Sequence, residues 1–323
     1  MRKTIHLCLS SHDEVMYRSE EDLNMGFNCL ALAILETESR LLAEGFMTTH
    51  HHILLQTDDY KEVMYRSRFA YSRYFNAKYH RNGRLGEKNY FWLEVEGVRH
   101  LKAALNYVLR QGLHHGICAT PFEYRHCSAN AIFRKELGKV VNPELLPDKS
   151  RHNYLPRNKR IDSDRYRMAE NGLLLREEIV DTAYVEQIYI SPQKYMFQMN
   201  KKTSEQDLEE QKEEGDMPPV TLESIEAGVP DFETGDAKHN EYGLVDNRKM
   251  TDLELCKVID RKIVTQLIRN DESASIYMLP ESRRAAIYNR LMQISKQGYR
   301  SGAKDILEGK TVTEPQLRRC LAL

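Results

Sequence analysis

The chain has 323 residues, of which 41% are hydrophobic and 29% charged, and its formal net charge is −1. This length suffices for one sizeable globular domain and a second, smaller one. No apolar run reaches the roughly 18 residues of a membrane span, and the apolar stretch near the N-terminus is too short for a signal peptide. We therefore expect a soluble, cytoplasmic protein with no membrane partner. The six cysteines are widely spaced and form no CxxC pair, which argues against a zinc knuckle and favours reduced thiols.

Charge is unevenly distributed along the chain. Residues 204–241 contain 13 acidic and two basic residues, a net charge of −11 against −1 for the whole chain, so the remainder carries +10. An acidic segment with proline, glycine and few aromatic residues predicts a mobile linker, which we place at 201–248. A basic remainder suits a polyanionic partner.

The first part of the chain predicts alternating strands and helices. Apolar residues recur at three- and four-residue spacing in the first helix. The predicted elements are a strand over 3–9, a helix from about Ser19, strands over 40–47 and at the histidine run, a helix over 58–80, a strand over 89–96 and a helix over 98–114. This order predicts an α+β fold, a ferredoxin-like antiparallel sheet with its helices on one face.

Two basic stretches are candidates for nucleic-acid binding. The helix over 58–80 interleaves tyrosines with arginines and lysines, which suits single-stranded nucleic acid, but it is equally compatible with an ordinary basic helix. The run 149–160 has five basic residues and no acidic one, and it either tracks a DNA backbone or is a basic surface loop. The candidate DNA-binding residues are Arg66, Arg73, Lys78, Arg84, Arg110, Arg151, Arg157, Lys159 and Arg160.

Three consecutive histidines open the predicted strand HHHILLQT at 50–57. Alternate side chains of a strand share a face, so His50 and His52 lie side by side and His51 points the other way. Two imidazoles on one face are part of a metal site, although a chain with 12 histidines clusters some of them by chance. His51 is either a core residue or an additional ligand.

Tyr107 and Gln111 lie four residues apart on the helix predicted over 98–114 and therefore share one face. Where that face meets the histidine strand, His50, His52 and the Gln111 amide oxygen can hold a divalent metal, Mg²⁺ or Mn²⁺, with positions open for substrate. Tyr107 can then attack a phosphodiester and form a covalent phosphotyrosine. Taken singly, a packing tyrosine and a surface amide are the simpler interpretations.

Several motifs together resemble the single-tyrosine HUH transposases, which include the REP-associated tyrosine transposases of bacteria. The resemblance covers about residues 1–135. The matching pieces are FMTTHHHILL at 46–55 (the histidine strand), Tyr74-Phe75-Asn76 with Gly83 (a helix and glycine turn), Tyr107-Val108 with Gln111 (the nucleophile helix), and Thr120-Pro121-Phe122-Glu123-Tyr124 with Ser128 (the closing motif).

The resemblance implies a transposase that nicks and rejoins single-stranded DNA, at hairpins, through a 5′-phosphotyrosine on Tyr107. It implies His50, His52 and Gln111 as metal ligands, and a bacterial protein that joins the nucleoid when bound to DNA. Partnership with a second copy of the chain is left open. The alternatives are a non-catalytic DNA-binding regulator with the same fold and a metal hydrolase that forms no covalent adduct. His51 departs from the family pattern, which has an apolar residue there.

Four regions are predicted along the chain. Residues 1–135 form the HUH domain, 136–200 a basic extension, 201–248 the acidic linker and 249–323 a helical C-terminal domain. In the last region, Thr251-x-x-Glu254 and Thr313-x-x-Gln316 predict capping boxes. Residues 302–307 and 313–321 have the proportions of a helix-turn-helix, and a helical bundle without DNA contact fits the same spacing.

Overall fold

The computed structural model describes residues 2–139, 143–147, 150–151, 154–155, 161, 165–200, 234–239, 244–268, 271, 273–297 and 304–323. Most of the predicted acidic linker, residues 201–233, lies outside this set. Within it, no helix combines the length and apolarity needed to cross a membrane. All six cysteines are free and buried, as their spacing predicted.

Four antiparallel strands form the sheet at the centre of the first core. β1 (Lys3–Ser10) pairs with both β3 (His50–Thr57) and β4 (Phe91–Glu94), and β2 (Arg40–Phe46) pairs with the other edge of β3. The order across the sheet is β2-β3-β1-β4. Helices connect and cover these strands, so the predicted α+β class is confirmed.

The first two long helices share one face of the sheet. α1 (Glu20–Glu36) begins after Ser19, whose side chain caps its first turn, and it packs against α2 (Tyr60–Tyr79). Tyr17, just before α1, contacts the ring of His51. The layer of α1 and α2 therefore lies on the face to which His51 points.

The opposite face is covered by α3 (Gly97–Leu109). Its Tyr107 contacts the ring of His52, and neighbouring strand residues point in opposite directions. The prediction of helices on one face is therefore wrong. The reason lies in β1, where every residue from Ile5 to Ser10 is buried, because consecutive residues of a strand are all buried only when both faces are covered.

Residues after the sheet complete the same core. Tyr189, Tyr195 and Met199 are almost wholly buried against it. Much of the region predicted as a basic extension thus contributes to the first core. The helices described in this region are Arg176–Ile179, Thr182–Tyr189 and Pro192–Asn200. Short 3-10 turns precede them at Pro121–Glu123 and Ser128–Asn130.

A second core gathers the C-terminal helices. The capping boxes predicted at Thr251 and Thr313 are both present. The last two helices occupy the positions predicted for a helix-turn-helix and are joined by a turn with positive φ at Glu308 and Gly309. Among the residues that the structure describes here, the helical elements are Asp252–Val258, the π-helical Ile259–Val264, Thr265–Leu267, the 3-10 turn Ile276–Met278, Glu281–Gln297, Lys304–Leu307 and Glu314–Leu321.

Arg18 joins the two cores. Its side chain is buried, and its Nε and Nη2 donate to Asp260 Oδ2 at 3.1 and 2.9 Å. Its Nη1 donates to the Cys320 carbonyl oxygen at 2.9 Å. A buried guanidinium is stable only when it is paired and hydrogen-bonded in this way. The C-terminal helices are therefore held against the loop between β1 and α1.

Two buried carboxylic acids make a second junction, beside the turn between β2 and β3. Thr48 Oγ1 lies 2.7 Å from Asp236 Oδ2 and 3.0 Å from Asp252 Oδ2. Burial and then the charge of Asp252 raise the pKa of Asp236 to about 7, and burial also raises the pKa of Asp252. Two carboxyl groups this close retain a proton that an isolated aspartate would lose.

We expect Asp236→Asn to stabilise the protein increasingly, relative to wild type, as the pH rises from about 5 to about 8. The unfolded carboxyl is ionised above a pH of about 4, whereas the folded one keeps its proton up to about pH 7. Because the folded state then binds more protons, wild-type stability falls as the pH rises through this window. The amide has no such proton to lose. Urea unfolding of both proteins at the two pH values measures the difference.

The matched control is Asp246→Asn, since Arg248 lowers the pKa of the Asp246 carboxyl and so keeps its titration below this window. A difference in unfolding free energy between wild type and Asp236→Asn that stays constant with pH would contradict the shared proton.

Candidate active site

β3 carries His50 and His52 on the face covered by α3. His52 pairs in register with Cys8 of β1 and Gly45 of β2. A Cβ atom at Gly45 would lie 3.1 Å from the Val108 carbonyl oxygen, which is tighter than ordinary packing. The missing side chain therefore allows α3 to approach the two buried histidines.

Tyr107 and Gln111 face these histidines from the helix. α3 ends at Leu109, and the short helix α4 (Gln111–His114) continues directly after Arg110. Gln111 Nε2 donates to the Tyr107 carbonyl oxygen at 3.2 Å, which directs the amide oxygen towards the imidazoles. The structure thus brings together the four residues that the sequence proposed as nucleophile and ligands.

The first part of the site is a cluster of three atoms, each of which has a lone pair that could bind a metal. His115 Nε2 lies 3.1 Å from His50 Nε2 and 3.1 Å from Gln111 Oε1. Burial lowers the pKa of His50 well below its usual value and lowers the pKa of His115 to about 3. Both imidazoles are therefore neutral at pH 7, which is the form that binds a metal.

The second part of the site surrounds His52. Its Nδ1 lies 3.1 Å from His6 Nε2, and its Nε2 lies 3.8 Å from Cys8 Sγ. The Tyr107 ring lies edge-on to both imidazoles, with centroid distances of 5.2 Å to His52 and 5.7 Å to His6. Burial lowers the pKa of His6 to about 3 and raises the pKa of the Cys8 thiol. The groups around Tyr107 are thus neutral.

The chemistry of the donor set fits a divalent metal. Imidazole nitrogens and an amide oxygen converge here, and Mn²⁺ suits such mixed donors at least as well as Mg²⁺ does. In the part of the chain that the structure describes, no group of three or more histidine, cysteine, aspartate or glutamate side chains is arranged to hold a metal ion. A metal at this site would therefore need the amide oxygen of Gln111 to complete its protein ligands.

Three residues of the site were not predicted. His115 is four residues beyond Gln111, so the same spacing rule that linked Tyr107 to Gln111 would have found it. His6 and Cys8 alternate on β1, and only the register of β1 against β3 places them beside His52.

His51 lies on the opposite face, away from the donor atoms. Its Nδ1 is 2.7 Å from the Tyr17 hydroxyl, and its ring stacks on Phe46 at 4.9 Å. Its Nε2 is buried without a hydrogen-bond partner among the described residues. Of the two interpretations left open by the sequence, this geometry favours a core residue over an additional ligand.

We expect His51→Leu to leave Mn²⁺ binding intact and to cost about 1–3 kcal/mol of stability, because it leaves the buried Tyr17 hydroxyl without its partner. The double variant with Tyr17→Phe should recover part of this loss, since neither polar group of the pair remains. Urea unfolding of the two single variants and the double variant gives the coupling energy. Loss of Mn²⁺ binding in His51→Leu at unchanged stability would instead support a ligand role.

Some of the predicted DNA-binding residues on α2 are engaged within the fold. Arg66 forms an ion pair with Glu36 at 2.7 Å, and Lys78 forms one with the buried Asp22 at 2.7 Å. Arg73 lies over the ring of Phe69, which is exposed on the surface of α2. Of these three, Arg73 has the surroundings that best suit a stacking contact with a base.

The remaining predicted DNA-binding residues lie on several parts of the chain. Arg84 is exposed, next to the turn at Gly83, whose carbonyl oxygen accepts a hydrogen bond from Asn76 Nδ2 at 2.7 Å. Arg110 is partly buried between α3 and α4, and Arg151 donates to the Tyr166 carbonyl oxygen at 2.9 Å. The residues outside the described set are Arg157, Lys159 and Arg160.

The closing motif of the resemblance covers the β2 edge of the sheet. The Tyr124 hydroxyl donates to the Phe46 carbonyl oxygen at 2.5 Å. Ser128 Oγ accepts from the Glu44 amide at 2.9 Å. An exposed strand edge can pair with other chains. Tyr124 and Ser128 bond to the backbone of this edge strand, so both residues have a structural role.

Neither a protein-family model nor a curated protein matches the chain. Among solved structures, the chain is similar to a REP-associated tyrosine transposase bound to a REP hairpin, with 9% sequence identity and a TM-score of 0.36. The match covers 44% of this chain and 82% of the transposase. A likeness of this size establishes neither the fold nor the activity.

Proposed function

We propose that the chain is a metal-dependent transposase of the single-tyrosine HUH type, which nicks and rejoins single-stranded DNA at hairpins. The observation that carries this proposal is the position of Tyr107. Its ring lies 5.2 Å from that of His52, and its backbone oxygen fixes the Gln111 amide whose oxygen faces His115. The proposed nucleophile and the proposed metal ligands therefore share one buried face.

The proposed fold of the first part is the ferredoxin-like plan of an HUH endonuclease domain. It is supported by the strand order β2-β3-β1-β4 and by the alternation of strands and helices along the chain. This plan places the histidine strand next to the centre and the nucleophile helix across it.

In the proposed reaction, Tyr107 Oη forms a bond to the phosphorus of a DNA phosphodiester. The bond between that phosphorus and the 3′ oxygen of the preceding nucleotide breaks. The product is a 5′-phosphotyrosine. The tyrosine hydroxyl loses one proton and the departing 3′ oxygen gains one, which leaves a free 3′-hydroxyl on the DNA. Attack by a 3′-hydroxyl on the phosphotyrosine reverses the step and rejoins a strand without ATP.

His50, His52 and Gln111 would hold the metal, which when bound polarises a non-bridging phosphate oxygen and neutralises its developing charge. The protein's own contribution is orientation. Gln111 Nε2 donates to the Tyr107 carbonyl oxygen, which links the position of the proposed ligand to that of the proposed nucleophile. The neutral His6 beside Tyr107 and His52 keeps their rings in place without adding charge.

The proposed substrate is single-stranded or hairpin DNA, bound by the basic and aromatic residues predicted from the sequence. Arg73 is one of the predicted residues, and it lies above the ring of the exposed Phe69, which the sequence had placed on the apolar side of the helix. The acidic linker and the helical C-terminal domain are proposed as the sequence predicted them, whereas much of the predicted basic extension belongs to the first core. Association of two copies of the chain also remains a proposal.

Incubation of the full chain with end-labelled hairpin DNA and Mn²⁺ tests this function. We expect a shortened labelled strand and a protein–DNA complex that survives denaturation. Cleavage without a denaturation-resistant complex would indicate a metal hydrolase, and hairpin binding without cleavage would indicate a non-catalytic regulator. Either result would overturn the proposal.

A further inference from the structure

We infer that His115 is a ligand of the metal site, forming with His50 and Gln111 a set of two imidazoles and one amide oxygen around one divalent cation. This inference depends on the metal site of the proposed function and goes beyond the ligands that the sequence and the resemblance assign. With His115, the helical segment that faces the histidine strand supplies two proposed ligands, Gln111 and His115, instead of Gln111 alone.

The distances around His115 match those between neighbouring ligands of one cation. Two donors about 2.1–2.2 Å from a metal and at right angles to each other are about 3 Å apart. His115 Nε2 is 3.1 Å from both His50 Nε2 and Gln111 Oε1. Both distances to His115 Nε2 therefore match the separation of neighbouring ligands in an octahedral shell.

The lone pairs of this cluster converge on one small region around the amide oxygen of Gln111. A neutral imidazole has one N–H, and an amide oxygen only accepts. If His115 Nε2 carries the proton, it can donate to Gln111 Oε1, which also accepts a hydrogen bond from His50. If His115 Nε2 carries no proton, its lone pair faces the lone pairs of the Gln111 amide oxygen at 3.1 Å, and the two repel each other. A cation accepts electron density from all three atoms at once.

Local chain geometry brings His115 to this point. Tyr107, Gln111 and His115 are spaced by four residues, and the His115 amide donates to the Gln111 carbonyl oxygen at 3.0 Å, so all three stay on one side of the helical segment. A cavity of about 510 Å³ lies against His115, lined also by Gln316 and Arg319 from the C-terminal helix. A ligand at this position would therefore lie between the buried donors and a space that a phosphate could enter.

Titration of the full chain with Mn²⁺ by calorimetry tests this inference in wild type, His115→Ala and His50→Ala. We expect His115→Ala to bind Mn²⁺ at least about tenfold more weakly, comparable to the loss on removing other groups that hold a metal. His51→Leu is the matched control, because it removes a buried imidazole from the same strand segment on the opposite face; its affinity should stay within about twofold of wild type.

Pulsed electron paramagnetic resonance of the Mn²⁺ complexes supplies a second readout. Nitrogen nuclei of coordinated imidazoles modulate the signal, and we expect one fewer coupled imidazole in His115→Gln at saturating Mn²⁺. This variant replaces the ring by an amide and serves if His115→Ala does not fold. Wild-type affinity in the His115 variants, an unchanged number of coupled imidazoles, or a wild-type chain that binds no Mn²⁺ would each overturn the inference.

The Mn²⁺-binding measurements and the DNA-cleavage assay can fail independently of each other. Weakened Mn²⁺ binding in His115→Ala together with absence of any covalent DNA adduct in wild type would leave His115 as a ligand and overturn the transposase activity. An adduct that forms in wild type, together with unchanged Mn²⁺ affinity in His115→Ala, would overturn the ligand role alone.

Discussion

His50→Ala should lower the rate of hairpin cleavage at least about 1000-fold, because the site loses one of its imidazole donors and with it the metal's stabilisation of charge on the phosphate, an effect of several kcal/mol. Hairpin binding should change little, since it depends on basic and aromatic residues elsewhere. His52→Ala should behave in the same way. Initial cleavage rates in Mn²⁺ and a filter-binding measurement in its absence give the two quantities.

The control for His50→Ala is His126→Ala. His126 is also buried, but its Nε2 bonds to Oε2 of Glu20, the first residue of α1, at 2.6 Å. It takes no part in the proposed site. Cleavage by this variant should stay near the wild-type rate. If His50→Ala loses binding as much as cleavage, the residue has a structural role and the metal-ligand assignment is wrong.

Arg176→Ala should destabilise the fold by about 3–5 kcal/mol near pH 8, because it leaves the buried carboxylate of Glu44 without its counter-charge. Arg176 Nε donates to Glu44 Oε1 at 2.7 Å, and the guanidinium lies 4.3 Å from the centre of the Phe27 ring. Burial raises the pKa of Glu44, while Arg176 opposes that rise. Urea unfolding at about pH 5 and pH 8 measures the effect.

The destabilisation by Arg176→Ala should be smaller at the lower pH. Without the guanidinium, the folded pKa of Glu44 rises further, so the folded state keeps a proton that the unfolded state loses, and stability falls as the pH rises between the two pKa values. The double variant Glu44→Leu with Arg176→Met should recover most of the loss, since buried ion pairs are often replaceable by apolar groups.

A second comparison uses the partly exposed pair between Arg66 and Glu36. Arg66→Ala should cost only about 0–1 kcal/mol, because water screens such a pair. A cost of less than about 1 kcal/mol for Arg176→Ala, without pH dependence, would show that Glu44 does not depend on its partner.

Local patterns in the sequence predicted most strands and helices of the first core. The histidine strand was placed at 50–57, where β3 lies, because alternation and an apolar run are properties of adjacent residues. The helix over 58–80 corresponds to Tyr60–Tyr79 for the same reason. The four-residue spacing of Tyr107 and Gln111 likewise placed both on one face.

What the sequence did not predict depends on contacts between distant residues. Helices cover both faces of the sheet, as the burial of every residue from Ile5 to Ser10 in β1 shows. This burial is visible only in the packed structure. Thr48 meets Asp236 across 188 residues, and Arg18 meets Asp260 across 242, and no local pattern marks such pairs. His6 and Cys8 enter the site through strand register alone. The roles of the site residues themselves stay predictions.

The most direct test of the proposed chemistry is mass spectrometry of the covalent complex formed with hairpin DNA. After nuclease and protease digestion, we predict a peptide containing Tyr107 that carries a nucleotide through its phenolic oxygen, and no such peptide from Tyr107→Phe, which should fold because it removes only a hydroxyl group. An adduct on a different residue, or one that persists in Tyr107→Phe, would contradict Tyr107 as the nucleophile.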